Sequence, residues 1–361
     1  MGSLYDNSGE DIYARRDIEK RRKHAMAMKK KRKRQILKRK IMLFTGAAAI
    51  LVASLGLTAA VRKNNTASGS SLNPKETQQV AIDANADAAN DDNIDKKDEK
   101  KFVYAQKSSD YKEITDAAVR TPYVALLDVN NNKIIAGREA ESRIYPASMT
   151  KVMSLIVAVE YQFTNKLLYP LYNAQASVAG FGTNEIVPVS DLFYGMILPS
   201  GADAAAALAE IVAGSEEQFA VLMNKKCEEL GLKNTHFVNS TGLYDDEQYT
   251  TPSEMAMIMK YAMDNSECAK VLSTFQYTTE KTTQHPDGIL LTNTMFSRMY
   301  GTEVEGVTIT AGKTGYTDEA LNCLVSYAVK GDKSYICVTS HAHNKWHCVF
   351  DSFEIYGNYL P

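Results

Sequence analysis

The chain has 361 residues, room for one large domain or two ordinary ones, and its formal charge of −2 conceals a strong asymmetry. Residues 1–40 hold 15 Lys and Arg against 5 Asp and Glu, a balance of +10 that leaves −12 on everything after them. The five cysteines (Cys227, Cys268, Cys323, Cys337 and Cys348) include no C-x-x-C pair, which removes zinc-ribbon and thioredoxin-like readings; small buried side chains are expected of them.

A basic arm on an acidic body suits either nucleic acid or a membrane surface, and the residues after it decide between the two. Residues 41–61 form a 21-residue run without charge. As a helix it is about 31 Å long, enough to cross a bilayer core. Lys38, Arg39 and Lys40 abut its start, so the Lys/Arg excess predicts a cytoplasmic 1–40 arm, a transmembrane signal-anchor at 41–61 and an extracytoplasmic body. The expectation is a single-pass cell-membrane protein that does not bind nucleic acid. A cleaved signal peptide is the alternative, although its apolar core usually runs only about 7–15 residues. Residues 62–111 are rich in Asn, Asp, Ala, Ser and Lys, with too little apolar surface to offset the entropy of ordering; they predict a flexible tether. That leaves 112–361 as the folded domain.

Within this domain, Tyr123–Asp128 and 133–137 read as strands around the turn Asn130-Asn131-Asn132. Apolar periodicity predicts a helix over 148–161, then two more over Ala202–Ala213 and Glu216–Leu230, the second capped by Gly231. Thr251-Pro252-Ser253-Glu254 has the form of a capping box with proline at the first helical position, opening a helix to about Asp264. Segments 307–311, 321–329 and 334–340 read as strands, and 346–359 as a closing amphipathic helix. Strands, then helices, then strands and a helix indicate an α+β domain with helices packed on an antiparallel sheet.

Ser148-Met149-Thr150-Lys151 opens the first long helix. Three positions apart on a helix share a face, so the Lys151 amine can reach the Ser148 hydroxyl and act as its base. A second S-x-x-K, Ser109 to Lys112, falls in the tether, where nothing is expected to position it. Lys313-Thr314-Gly315 follows the strand 307–311, with a lysine and a threonine suited to a carboxylate and a glycine that lets a substrate backbone lie close. Ser200-Gly201-Ala202 sits at a break between helices.

The order S-x-x-K, S-x-x, K-T-G, in the contexts YPASMTK, LPSGADAAAALAE, LGLKNTHFVNSTGL and AGKTGYTDEA, resembles the low-molecular-weight D-alanyl-D-alanine carboxypeptidases, serine peptidases that bind penicillin. The resemblance implies a β-lactamase/DD-peptidase-like transpeptidase fold, the peptidoglycan stem peptide as substrate, β-lactams as inhibitors, and no metal or cofactor. Carried over, Ser148 is the nucleophile, Lys151 its base and Ser200 a proton relay. Lys313 and Thr314 bind the terminal carboxylate beside Gly315, and the N–H groups of Ser148 and Tyr316 form the oxyanion hole.

Ala202 stands where the family usually has asparagine, which puts the detailed proton relay in doubt. Two other readings stay open. A β-lactamase is disfavoured because no E-x-x-L-N stretch lies between Ser200 and Lys313. A silent penicillin-fold sensor or wall-binding protein is kept alive by Ala202. His341, His343, His347 and Cys348 raise a zinc site as a weaker alternative to surface histidines.

Overall fold

The structure, a computed structural model, describes residues 102–161, 166–168, 177–299 and 304–361, the segment 166–168 by its backbone alone. These described residues group into one unit. Its centre is a six-stranded sheet in the order β1-β3-β2-β10-β9-β8. The strands are β1 (Gln106–Glu113), β2 (Tyr123–Asp128), β3 (Lys133–Arg138), β8 (Val307–Thr317), β9 (Leu321–Lys330) and β10 (Lys333–Ala342). Two short hairpins, β4–β5 (Lys166–Leu168 and Ile186–Pro188) and β6–β7 (Gln276–Thr278 and Leu290–Thr292), lie outside it.

Alternation along the central strands divides the core. Leu127, Ile336 and Val338 join the larger apolar cluster on one face, whereas Leu126 and Cys337 join Ile355 and Tyr356 on the other. The larger cluster holds α1 (Lys151–Glu160), α2 (Val189–Ile197), α3 (Ala202–Ala213), α4 (Glu216–Leu230), α5 (Pro252–Asp264) and α6 (Ser266–Leu272). The second face is covered by α7 (His347–Tyr359), whose Tyr356 hydroxyl accepts from the Cys337 N–H at 3.0 Å. The α+β reading with helices on both faces of a mostly antiparallel sheet therefore describes the molecule.

One strand pair departs from it. β1 runs parallel to β3 at the sheet edge, and it occupies residues assigned to the tether. The expected tether 62–111 thus ends too late, and the folded unit takes in Ser109. The reason is physical: none of the eight β1 side chains is buried, so the strand adds through backbone hydrogen bonds and leaves no apolar pattern to read.

The membrane expectation is also corrected. Among the described residues no helix is long and apolar enough to cross a membrane. The basic arm 1–40, the run 41–61 and the tether up to 101 lie outside the described residues.

Two local expectations are refined. The Thr251 half of the capping box forms, with its hydroxyl accepting from Glu254 N at 3.1 Å. The Glu254 carboxylate instead turns away to accept from Lys233 N and Asn234 N, at 3.0 and 2.9 Å. The K-T-G lies inside β8, because a register shift between Ile309 and Ala311 lets the strand continue to Thr317.

Candidate active site

Pro146 introduces a 3-10 turn, Ala147–Thr150, that leads into α1. In a 3-10 turn residues three apart nearly eclipse, which brings Lys151 over Ser148. The Lys151 Nζ lies 2.9 Å from Ser148 Oγ and 2.5 Å from the Thr241 carbonyl oxygen. Helix α1 is apolar on nearly every side, with Val152, Met153, Leu155 and Ile156 all buried, so it runs through the centre of the domain. Lys151, in its first turn, is only 1% exposed, while Ser148 is half-buried and open to approach. Burial pulls the Lys151 amine down to about 7, against the opposing pull of Asp203 and Glu216.

Two glycines let the chain close around this turn. Gly242 has φ +77°, and a Cβ there would lie 2.0 Å from the Ala147 carbonyl oxygen. On the other side, a Cβ on Gly315 would meet Pro146 O and Ser148 N at 3.0 Å each. Strand β8 therefore lies directly against the Ser148 peptide, and the next residue, Tyr316, is half-exposed at the same edge.

The second lysine arrives on β8. Lys313 Nζ donates to Ser200 Oγ at 2.8 Å and to the Thr314 carbonyl at 2.8 Å. It too is 1% exposed; burial, the Lys151 ammonium and Arg298 hold it well below the usual lysine range. Thr314 Oγ1 lies 2.6 Å from Thr294 Oγ1. Ser200 adopts φ +67°, a left-handed conformation uncommon for serine. Ser177 braces it from both sides, its hydroxyl donating to Ser200 O at 2.6 Å and its carbonyl accepting from Ala202 N at 2.8 Å.

Ser148, Lys151, Ser200, Lys313, Thr314 and Gly315 are thus drawn into one site from a turn, a helix start and a strand, with Tyr316 at its rim. Its chemistry is that of a hydroxyl beside an amine near neutral pKa, facing a second buried amine. Ser109 stays apart, exposed on β1. The zinc alternative dissolves: His341 packs edge-on against Tyr123, His347 Nε2 lies 3.2 Å from Arg120 Nη1, and Cys348 is buried in apolar packing. No metal-ligating cluster of three or more forms among the described residues, and all five cysteines are free and buried.

A family model described as D-alanyl-D-alanine carboxypeptidase matches residues 110–344. The chain belongs to this family. It is 32% identical over 237 residues to the D-alanyl-D-alanine carboxypeptidase DacF of Bacillus subtilis (strain 168), covering 63% of this chain and 59% of that protein. It is also 32% identical to DacA of Escherichia coli (strain K12) over 228 residues, 58% of this chain and 53% of the relative. The chain therefore spans somewhat more than half the length of these relatives. A variant of the Streptomyces K15 DD-transpeptidase superposes with a TM-score of 0.58 at 27% identity, covering 67% of this chain and 99% of that one. The domain accordingly has the mixed α/β DD-peptidase fold.

Sequence reasoning overlooked the residues that hold the motifs in place: the Thr241 carbonyl, Asn239, Ser177 and Thr294. The string NSTG carried a turn signal in its asparagine and glycine, but a backbone carbonyl aimed at a lysine leaves no mark on residue type. Ser177 and Thr294 sit 23 and 20 residues from their partners and carry no motif of their own.

Proposed function

We propose that the chain is a serine-type D-Ala-D-Ala carboxypeptidase that removes the terminal D-alanine from peptidoglycan stem peptides and is acylated by β-lactams. The observation that carries this reading is the 2.9 Å contact between Ser148 Oγ and a fully buried Lys151 amine whose pKa is near 7. An ordinary lysine is protonated at neutral pH and cannot accept a proton; this one is neutral in a large fraction of molecules.

In the proposed reaction Lys151 takes the Ser148 proton as Oγ attacks the carbonyl of the penultimate residue. The oxyanion faces the N–H groups of Ser148 and Tyr316, which the close packing at Gly315 supports as neighbours. The Lys313 and Thr314 side chains receive the terminal carboxylate, whose charge restores the protonated form of Lys313. Ser200, held by Lys313, relays to the departing D-alanine amine the proton that Lys151 took from Ser148, which returns Lys151 to its neutral form. Water then attacks the Ser148 ester and frees the shortened peptide. A β-lactam carboxylate and amide carbonyl fit the same two positions, which accounts for covalent inhibition. Family membership and intact paired lysines favour this over a silent sensor or a β-lactamase.

The test uses the full chain with a D-Ala-D-Ala peptide and a fluorescent penicillin. Release of free D-alanine and covalent labelling are expected, and Ser148→Ala abolishes both. Labelling that persists in Ser148→Ala removes Ser148 from the nucleophile role.

A further inference from the structure

As an ammonium, Lys151 has three hydrogens to place. Its acceptors among the described residues are Ser148 Oγ and Thr241 O. The placement of the Thr241 carbonyl therefore bears directly on how the amine is held. That carbonyl is held by a turn wrapped around one side chain. Asn239 Oδ1 accepts from Gly242 N at 2.8 Å, from Thr241 N at 3.2 Å, from the Thr241 hydroxyl at 3.1 Å and from Gln248 Nε2 at 3.2 Å. Its Nδ2 donates to Leu243 O at 2.9 Å.

The turn is also tied outward to the helices that frame the site. Ser154, one turn along α1 from Lys151, donates to Ser240 O at 2.7 Å, and Ser240 Oγ donates to Glu216 Oε1 at 2.8 Å. Gly242 seats it against Ala147, immediately before Ser148. Rotating the Thr241 peptide away from Lys151 would break the Asn239 bonds on both sides of it.

We infer that Asn239 is a positioning residue for Lys151, presenting the Thr241 carbonyl to the amine. The inference rests on the reading of Lys151 as the base. Lys151 is faced by Asp203 on α3, Glu216 on α4 and Lys313 on β8, with Arg298 beside Lys313. Asn239 is uncharged, so Asn239→Ala leaves all of these charges in place while removing the bonds that hold the turn. An ammonium that loses its acceptor is less stable, so its pKa falls; a carboxylate introduced by Asn239→Asp keeps the Oδ acceptor and raises it.

The experiment measures the second-order rate of penicillin acylation of the full chain from pH 5 to 9, with KM for a D-Ala-D-Ala peptide alongside. Asn239→Ala is expected to lower the plateau rate at least tenfold, leave KM within about twofold, and move the acid-limb midpoint down by about one pH unit. Asn239→Asp is expected to keep most of the rate and move the midpoint up. A loss of packing alone lowers the melting temperature and leaves the Asn239→Ala midpoint where it was, so an unshifted Asn239→Ala midpoint overturns the inference. If Asn239→Ala does not fold, Asn239→Ser, also uncharged, decides by the same midpoint: a downward shift supports the inference and an unshifted one overturns it. A wild-type chain that penicillin never acylates removes the carboxypeptidase reading itself, a separate result.

Discussion

Replacing Lys151 by methionine tests the electrostatics of the site directly, because it removes the buried amine while keeping an unbranched side chain. Burial takes the amine from 10.5 to about 7, so below pH 7 the folded protein carries a charge-burial cost on the order of 5 kcal/mol, at about 1.36 kcal/mol per pH unit. The sign follows from proton counting. Between pH 7 and 10.5 the unfolded chain keeps a proton that the folded chain has lost, so raising the pH stabilises the wild type; the contribution is fully present above 10.5 and lost as the pH falls through 7. Methionine has no such dependence, but it leaves the buried Thr241 carbonyl without its donor, a pH-independent cost of about 1–3 kcal/mol. Removing the ammonium also relieves Lys313, an effect of the same sign.

Lys151→Met is therefore expected to be the more stable protein at pH 6 and the less stable one at pH 10, with no penicillin labelling at either. Urea unfolding of both proteins at three pH values measures this. A stability difference that stays constant across the range refutes the reasoning, because it would mean that the lysine enters the fold with an ordinary pKa. The same pKa predicts that wild-type acylation rises about tenfold per pH unit below pH 7 and levels off above it.

Gly242→Ala is expected to destabilise the domain by at least about 2 kcal/mol and to cut penicillin acylation sharply, since φ is +77° and the new Cβ would meet backbone atoms of Ala147 and Ser148. Thermal melting and labelling check both effects together. Ser109→Ala, on the exposed edge strand β1, is expected to leave labelling within about twofold of wild type despite its S-x-x-K sequence.

Much of the domain was legible because its helices carry their own punctuation. Ala202–Ala213, Glu216–Leu230 and Pro252–Asp264 begin and end where the sequence places them, each with a cap or a breaker at a boundary. Helix α2 was not legible. Val189–Ile197 has only Ser190 and Asp191 as polar residues and is buried on almost every side, so it shows little amphipathic stripe and reads as well for a strand. Strand β1 fails for the opposite reason: none of its side chains is fully buried, and of them only Tyr111 packs, half-buried, against the apolar core. The motif residues announced themselves through chemistry that only certain side chains perform. Their supports did not, because Thr241 acts through its backbone and Asn239 through bonds to peptide groups that any sequence would offer.

Ala202 is where the chain departs from the motif pattern it otherwise resembles, and the structure narrows what the substitution can mean. Asp203 cannot stand in for the missing amide, since both of its carboxylate oxygens accept from Ala179 N, at 2.9 and 3.0 Å, and anchor the segment that braces Ser200. The Ala202 N–H is likewise engaged with Ser177. An asparagine at 202 therefore changes only what enters the site. Its carbonyl would give Lys151 another acceptor, and one hydrogen bond to a charged group contributes about 1.5–3 kcal/mol, favouring the protonated amine and opposing its use as a base. Its amide would add a donor for substrate, which works the other way. Ala202 is 1% exposed, so the larger side chain also has to find room. The net expectation is that Ala202→Asn keeps or modestly raises D-alanine release, with an acid limb moved to higher pH. Lys313→Ala, which deletes the group aimed at Ser200, is expected to lose most of the activity. A wild-type chain that neither releases D-alanine nor binds penicillin, beside an Ala202→Asn chain that does both, would make Ala202 the silencing change and reverse the argument that Thr241 and Asn239 suffice.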